Sequence, residues 1–280
     1  MFFLLVMKVR SQNYNLSFKA GMTNAIKQEI ASCDPQKISK YLDNLGIINN
    51  LQDNKVIAWC SLKTIEALKK LKQKMPVAVF VEDFKKLSVG NSDVLGGVNL
   101  APMKLIKDKD IVFPENTIFF NTNVQSNLSS KSFWENLDQE VDFRFATKLS
   151  ATDSFLEPFF HEFAHVLHSH NLKKNLGETK RLEVLAENLS VDKQVDFSLK
   201  YGRMLRNKIC SYAGENFIEA IACDLAARFG KNLDAQTLFV KDFFPNSPYA
   251  KFTLKSLFSK KQDMCATDEL LKNLWNGKVL

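Results

Sequence analysis

Histidine is scarce in this chain: four residues in 280, all of them between positions 161 and 170. Cysteine is sparse too. Cys33, Cys60, Cys210, Cys223 and Cys265 are odd in number, widely spaced and contain no C-x-x-C. That argues against a disulfide framework and against a cysteine zinc site, and it fits a reducing compartment. No hydrophobic run approaches the roughly 18 residues a membrane-spanning helix needs. Met1–Met7 is apolar but has no basic segment before it and no small-residue cleavage site after it. It reads as a first strand rather than a signal peptide. The expectation is a soluble protein with no membrane span, cytoplasmic or exported without a cleaved signal. Glycine is thin, and Gly90, Gly96 and Gly97 within Leu87–Leu100 form no phosphate-binding pattern, so that stretch reads as a loop. There is no internal repeat, long linker or low-complexity tract.

Apolar residues make up 45% of the chain, enough to bury a substantial core. The net charge of +7 is spread along the sequence without a nucleic-acid-binding signature. It reads as a lysine-rich solvated surface, and no nucleic-acid partner is expected. Thr23–Ser32 and Gln36–Leu45 read as helices parted by Cys33-Asp34-Pro35, with Gly46 as a stop. Val56–Cys60 reads as a strand, Leu62–Met75 as an amphipathic helix and Val77–Val81 as a strand. Asp110–Phe113 and Thr117–Asn121 flank Pro114-Glu115-Asn116 and suggest a hairpin or bent strand. Asn121–Ser132 reads as a loop, with Trp134 anchoring a short helix. Strands end near residue 121 and helical patterns follow: one around the histidines, then 177–189, 191–209, Phe217–Phe229 and Leu270–Trp275. The division is drawn as an N-terminal α+β region, 1–110, and a second region, 111–280. The fold class is α+β, with a small mixed or antiparallel sheet packed on the histidine helix and a mainly helical C-terminal half.

The histidines fall in Pro158-Phe-Phe-His161-Glu162-Phe-Ala-His165-Val-Leu-His168-Ser-His170. Ser154 with Glu157 suggests a capping box, Pro158 suits the first turn, and Asn171 reads as the terminator. His161 and His165 stand four apart, about 40° in azimuth and roughly 6 Å along a helix axis, so both imidazoles can reach one tetrahedral ion. Glu162 lies next to His161, where a carboxylate can handle the proton of a water. His168 is about 10 Å along the axis from His161 and reads as a supporting or surface residue, and His170 as exposed.

Hydrolytic zinc sites take a third protein ligand. A third histidine six residues after His165, with a glycine between, is ruled out by His168 and Asn171. With no further histidine the third ligand is expected to be a carboxylate, a cysteine being the lesser alternative; the downstream carboxylates are Glu178, Glu183, Glu187, Glu215, Glu219 and Asp224. Glu219 is the strongest, in the first turn of an apolar helix that Asn216 starts and Gly230 ends. Yet N-x-x-E is also a capping box, in which Glu219 would reach back to the amide of Asn216. Spacing alone leaves these two open. Glu183 and Glu187, 18 and 22 residues beyond His165, are the reserve.

His-Glu-Phe-Ala-His followed by Tyr212-Ala-x-x-Asn216-x-x-Glu219-x-x-Ala222 resembles the anthrax lethal factor type of gluzincin and related metallopeptidase domains of bacterial and phage proteins. The resemblance covers two short motifs within roughly 155–230. It implies a zincin-like fold, one Zn²⁺ per chain held by His161, His165 and Glu219, Glu162 as general base and Tyr212 as the donor that stabilises the oxyanion. It departs at Cys223, where the family often carries a second acid four residues after the ligand. Asp224 is adjacent but on another side of the helix, so the support of a ligand is weaker or differently built.

The function expected is zinc-dependent hydrolysis of peptide bonds in a peptide or protein substrate, with Thr117–Asn121 able to receive an extended peptide by edge pairing. The alternative is an inactive, zinc-stabilised structural or phage-associated interaction protein. That role needs the metal ligands but not Glu162 and Tyr212. A toxin or effector protease satisfies the same motifs.

Overall fold

The computed structural model describes residues 4–8, 24–51, 53–70, 76, 78–82, 94–100, 103–104, 112–121, 148, 150, 156–234 and 266–277. The chain is mixed α/β and forms two compact units, Met1–Phe143 and Arg144–Leu280. The first unit extends beyond Thr117–Asn121, its last described strand. Asn121–Ser132 beyond its first residue, Trp134 and Ser154 lie outside the described residues. No described helix is long and apolar enough to cross a membrane.

The first unit runs β1 (Leu4–Lys8), α1 (Asn24–Ser32), α2 (Pro35–Asn44), β2 (Ile48–Asn50), α3 (Lys55–Lys70), β3 (Ala78–Glu82), β4 (Val94–Asn99), β5 (Met103–Lys104), β6 (Val112–Phe113) and β7 (Thr117–Asn121). Asp34 starts α2 by accepting from the amides of Gln36 and Lys37 at 3.0 and 3.2 Å, with Pro35 in the first turn. Gly46, at φ +74, ends the turn that follows. Consecutive parallel strands require a crossover, and α3 is the one between β2 and β3.

Val56–Cys60, expected as a strand, is the first turns of α3. Asn54 caps it: its side-chain oxygen accepts from Ile57 N at 3.1 Å, and its carbonyl from Ala58 N at 2.9 Å. The cap outweighs the β-branched pair Val56-Ile57, and Ile57, Ala58 and Cys60 are wholly buried.

The sheet order is β1-β4-β7-β3-β2. Strand β7 is therefore central, parallel to β3 and antiparallel to β4. This corrects the expectation that Thr117–Asn121 offers an edge to a peptide, because both its sides are already paired. It corrects the hairpin as well: β6 pairs with β5, and the bend before β7 is pinned by Asn99. The Asn99 side chain accepts from Thr117 N at 2.8 Å and donates to the Pro114 carbonyl at 2.7 Å, while Asn116 takes φ +62. Part of the expected Leu87–Leu100 loop is strand β4. Its Gly96 and Gly97 lie opposite Phe120 and Phe119, where a glycine leaves room for a large neighbour.

The second unit is helical: α4 (Glu157–Leu176), α5 (Glu178–Asn188), α6 (Val191–Phe197), a π turn (Ser198–Gly202), α7 (Arg203–Lys208), a 3₁₀ turn (Tyr212–Gly214), α8 (Phe217–Asp234) and α9 (Ala266–Trp275). Helix α4 runs past Asn171 to Leu176 and stops at Gly177, whose φ of +79 suits a residue without Cβ. Likewise α8 runs through Gly230 to Asp234. An isolated glycine is tolerated in a helix at modest cost. Helices α4 and α8 share the most extensive contact of the unit. Phe160, Phe163 and Val166 on one and Ile221 and Leu225 on the other are buried. Ala220, Ala222, Ala226 and Ala227 are buried as well, and small side chains bring helix axes close.

Helix α9 docks on α4 through polar groups. Asn171 donates to the Trp275 carbonyl at 2.6 Å, and His168 Nε2 lies 3.1 Å from the Leu274 carbonyl oxygen. The His168 ring stacks on Trp275 and meets Phe217 edge-on. His168 is thus not a surface residue but a buried clamp between helices. His170 is half-buried rather than exposed.

Burial lowers the pKa of His168 to about 4, against the hydrogen bond to Leu274, which raises it. The ring is neutral in the folded protein, while the unfolded chain takes up its proton near 6.5. Stability is therefore fully present above about 6.5 and falls as the pH drops towards 4. The loss attributable to His168 is about 3 kcal/mol over that window. Urea unfolding of the metal-free chain at pH 7 and pH 4.5 measures it. His168→Phe, which keeps a ring and cannot titrate, should show a correspondingly flatter dependence. The comparison removes the contribution of His165, which has the same sign.

Candidate metal centre

Helix α4 presents His161 and His165 on successive turns, and their rings meet edge to face with centroids 4.6 Å apart. Helix α8 brings Glu219 to them. Asn216 fixes the start of that helix: its side-chain oxygen accepts from the amides of Ile218 and Glu219, each at 3.0 Å. The Glu219 carboxylate is directed at the histidines, with Oε2 3.0 Å from His161 Nε2 and 3.7 Å from His165 Nε2. The two Nε2 atoms are 3.0 Å apart. Three donor atoms from two helices thus face one another. His161, Glu162, His165 and Glu219 are all buried, none more than 4% exposed.

The electrostatics follow from this burial. The imidazole of His165 is pushed down to about 3 by loss of water, against the pull of Glu219 and with the help of His161 and His168. The carboxyl of Glu219 is pushed up to about 7 by loss of water, against His165 and a hydrogen bond from Tyr212. Both shifts favour the neutral form of the group. Uncompensated charge is costly at such a place.

Tyr212 occupies the 3₁₀ turn just before α8. Its ring centroid is 5.6 Å from that of His161, and its hydroxyl donates to Glu219. Burial raises its pKa well above the usual phenol value, and the carboxylates of Glu219, Glu215 and Glu162 add to this, so it stays an O–H donor. The turn is held in place by a feature the sequence reading did not find. A Cβ on Gly202, the last residue of the π turn, would come within 2.9 Å of the Gly214 carbonyl oxygen. One on Gly214 would come within 2.8 Å of the Gly202 carbonyl oxygen. The Arg206 side chain lies against both glycines and donates to Ser198 Oγ at 3.2 Å. Two glycines twelve residues apart in a helical stretch were the available signal.

The other carboxylates go elsewhere. Glu183 pairs with Lys180 and Glu187 with Lys193 on the exposed side of α5. Glu178 pairs with Lys173 and Arg181. Glu215 is exposed, whereas Asp224 is buried but outside the cluster.

Cys223 is the unexpected neighbour. His161, Glu219 and Cys223 form a buried group whose ligand atoms lie within 4.8 Å of one another, so it could hold a metal ion. The thiol, however, faces the other nitrogen of the ring: Sγ is 3.8 Å from His161 Nδ1. The two nitrogens of an imidazole point apart, so one ion at Nε2 has His165 and Glu219 within its reach and Cys223 behind the ring. Cys33, Cys60, Cys210 and Cys223 are free thiols, and Cys265 lies outside the described residues. Comparison with protein-family models, with curated proteins and with solved structures finds no match to this chain.

Proposed function

We propose that this protein is a zinc-dependent metallopeptidase, with His161, His165 and Glu219 as the metal ligands. One observation carries the reading: the donor atoms of these three residues are separated by 3.0, 3.0 and 3.7 Å. Zinc–ligand bonds of 2.0–2.1 Å in a tetrahedron put neighbouring donors about 3.3 Å apart. The donor set also fits, since two imidazoles and a carboxylate leave the fourth position of a catalytic zinc site to solvent or substrate.

Bound there, zinc supplies Lewis acidity to a water and to a carbonyl oxygen. The chain's own residues supply the rest. Glu162 takes the proton of the attacking water and hands it to the leaving amine, a role its place beside His161 suits. Tyr212 turns its hydroxyl from Glu219 to the carbonyl oxygen as negative charge develops there. Peptide and protein substrates are the class this constellation serves, endopeptidase action being the form proposed. An extended peptide does not bind along Thr117–Asn121, which has no free edge.

A second reading has support of its own. The ligand atoms are so deeply buried that a purely structural zinc, in an interaction protein without activity, is consistent with them. One experiment separates the two. The purified chain should carry one zinc per molecule by mass-spectrometric metal analysis and should cleave a denatured protein substrate. Dialysis against a chelator should abolish cleavage, and one equivalent of zinc should restore it. A chain that holds zinc and unfolds on its removal, yet cleaves nothing across a broad peptide library, belongs to the structural reading. A chain that holds no zinc belongs to neither.

A further inference from the structure

The two nitrogens of His161 have different partners. Nε2 faces Glu219 and His165, while Nδ1 faces the Cys223 sulfur at 3.8 Å. A neutral imidazole has one N–H and one lone pair. If the Nε2 lone pair is committed to a ligand role, the proton sits on Nδ1, and a buried N–H is stable only against an acceptor. Cys223 is one turn beyond Glu219 on α8 and therefore reaches the back of the ring whose front Glu219 meets. Its own S–H is engaged in turn. Cys210, wholly buried and two residues before Tyr212, is in hydrogen-bond contact with it. The lone pairs of Cys223 are then available to the ring.

Resting on the metallopeptidase reading, we propose that Cys223 is the positioning residue of His161. Its sulfur accepts the Nδ1–H, fixes the tautomer and holds the Nε2 lone pair towards His165 and Glu219. A sulfur acceptor thus does here what a carboxylate does behind many metal-bound histidines. The chain His161–Cys223–Cys210 also ties the ring to the segment that carries Tyr212.

The test uses the full chain with zinc, competed against a chromophoric chelator. Cys223→Val, of similar size but with no acceptor, should bind zinc about 10–100-fold more weakly, the usual cost of losing such a partner. Cys223→Ser, which keeps an acceptor, should stay near wild type, a rescue that mere packing would not give. In ¹H–¹⁵N spectra of zinc-loaded wild type, His161 should be the Nδ1–H tautomer with a slowly exchanging proton, and exchange should quicken in Cys223→Val. Unchanged affinity and exchange in Cys223→Val overturn the role while leaving the zinc ligands intact. Should that variant not fold, the wild-type spectrum decides alone, because an Nε2–H tautomer overturns the role. So does a sulfur-to-metal charge-transfer band in cobalt-substituted protein, which would make Cys223 a ligand. Failure of wild type to bind zinc removes the metallopeptidase reading, and this inference with it.

Discussion

Glu219→Ala is expected to come out of purification without stoichiometric zinc, whereas Glu183→Ala and Glu187→Ala keep it. In the proposed site the carboxylate is one of three donors and the one that can bring a negative charge, 3.0 Å from His161 Nε2. Its loss leaves two neutral imidazoles, one of them pushed down to about 3 by burial, to hold a divalent cation in an apolar setting. The fall in affinity should exceed the roughly 10–100-fold typical of partners that only orient a ligand. Glu183 and Glu187 make surface pairs with Lys180 and Lys193. Such pairs contribute about 0–1 kcal/mol, so both variants serve as folded controls. Metal analysis after gel filtration, with a titration of zinc back into each variant, reads the result. Retention of zinc by Glu219→Ala, with loss in Glu187→Ala, would move the third ligand to α5.

The parts of this centre that were legible beforehand are those encoded locally. A spacing of four on a helix aims two imidazoles at one point whatever the rest of the chain does. The Asn216 cap is a three-residue device that starts α8 and so sets where Glu219 points. Spacing could not choose between a capping carboxylate and a ligand, because both place Glu219 in the first turn. What brings Glu219 to the two imidazoles is the close approach of α8 to α4, which depends on alanines and phenylalanines far apart in the chain packing together.

The misreadings have the opposite character. Val56–Cys60 has strand composition, and Asn54 turned it into a helix start. Gly96-Gly97 has loop composition, and the bulk of Phe119 and Phe120 opposite made it a usable strand. Thr117–Asn121 was recognisable as a strand, but whether a strand is central or at an edge depends on partners that no local pattern names. Cys223 was visible only as a departure from a pattern. Its sulfur lies behind the ring of His161 through the packing of α8 on α4, which no local pattern encodes.

Glu162→Gln should retain zinc at wild-type stoichiometry and lose about 10²–10⁴-fold in kcat/KM, the range that a positioned general base contributes. The amide matches the carboxylate in size and keeps one oxygen, so packing around a residue that is 1% exposed changes little. What it removes is the ability to hold a proton between water and leaving amine. Glu162 shares its surroundings with Tyr212, whose phenol its charge helps to keep protonated. A Glu162 charge felt by Tyr212 is consistent with the proposal that the two act on one substrate carbonyl. The contrast with Glu219→Ala gives the test its force. One variant should lose the metal and hence everything, the other only the proton transfer. If Glu162→Gln cleaves as fast as wild type, the water is not activated by this carboxylate. The proposed mechanism then fails even with zinc in place, and the structural reading of the centre becomes the stronger one.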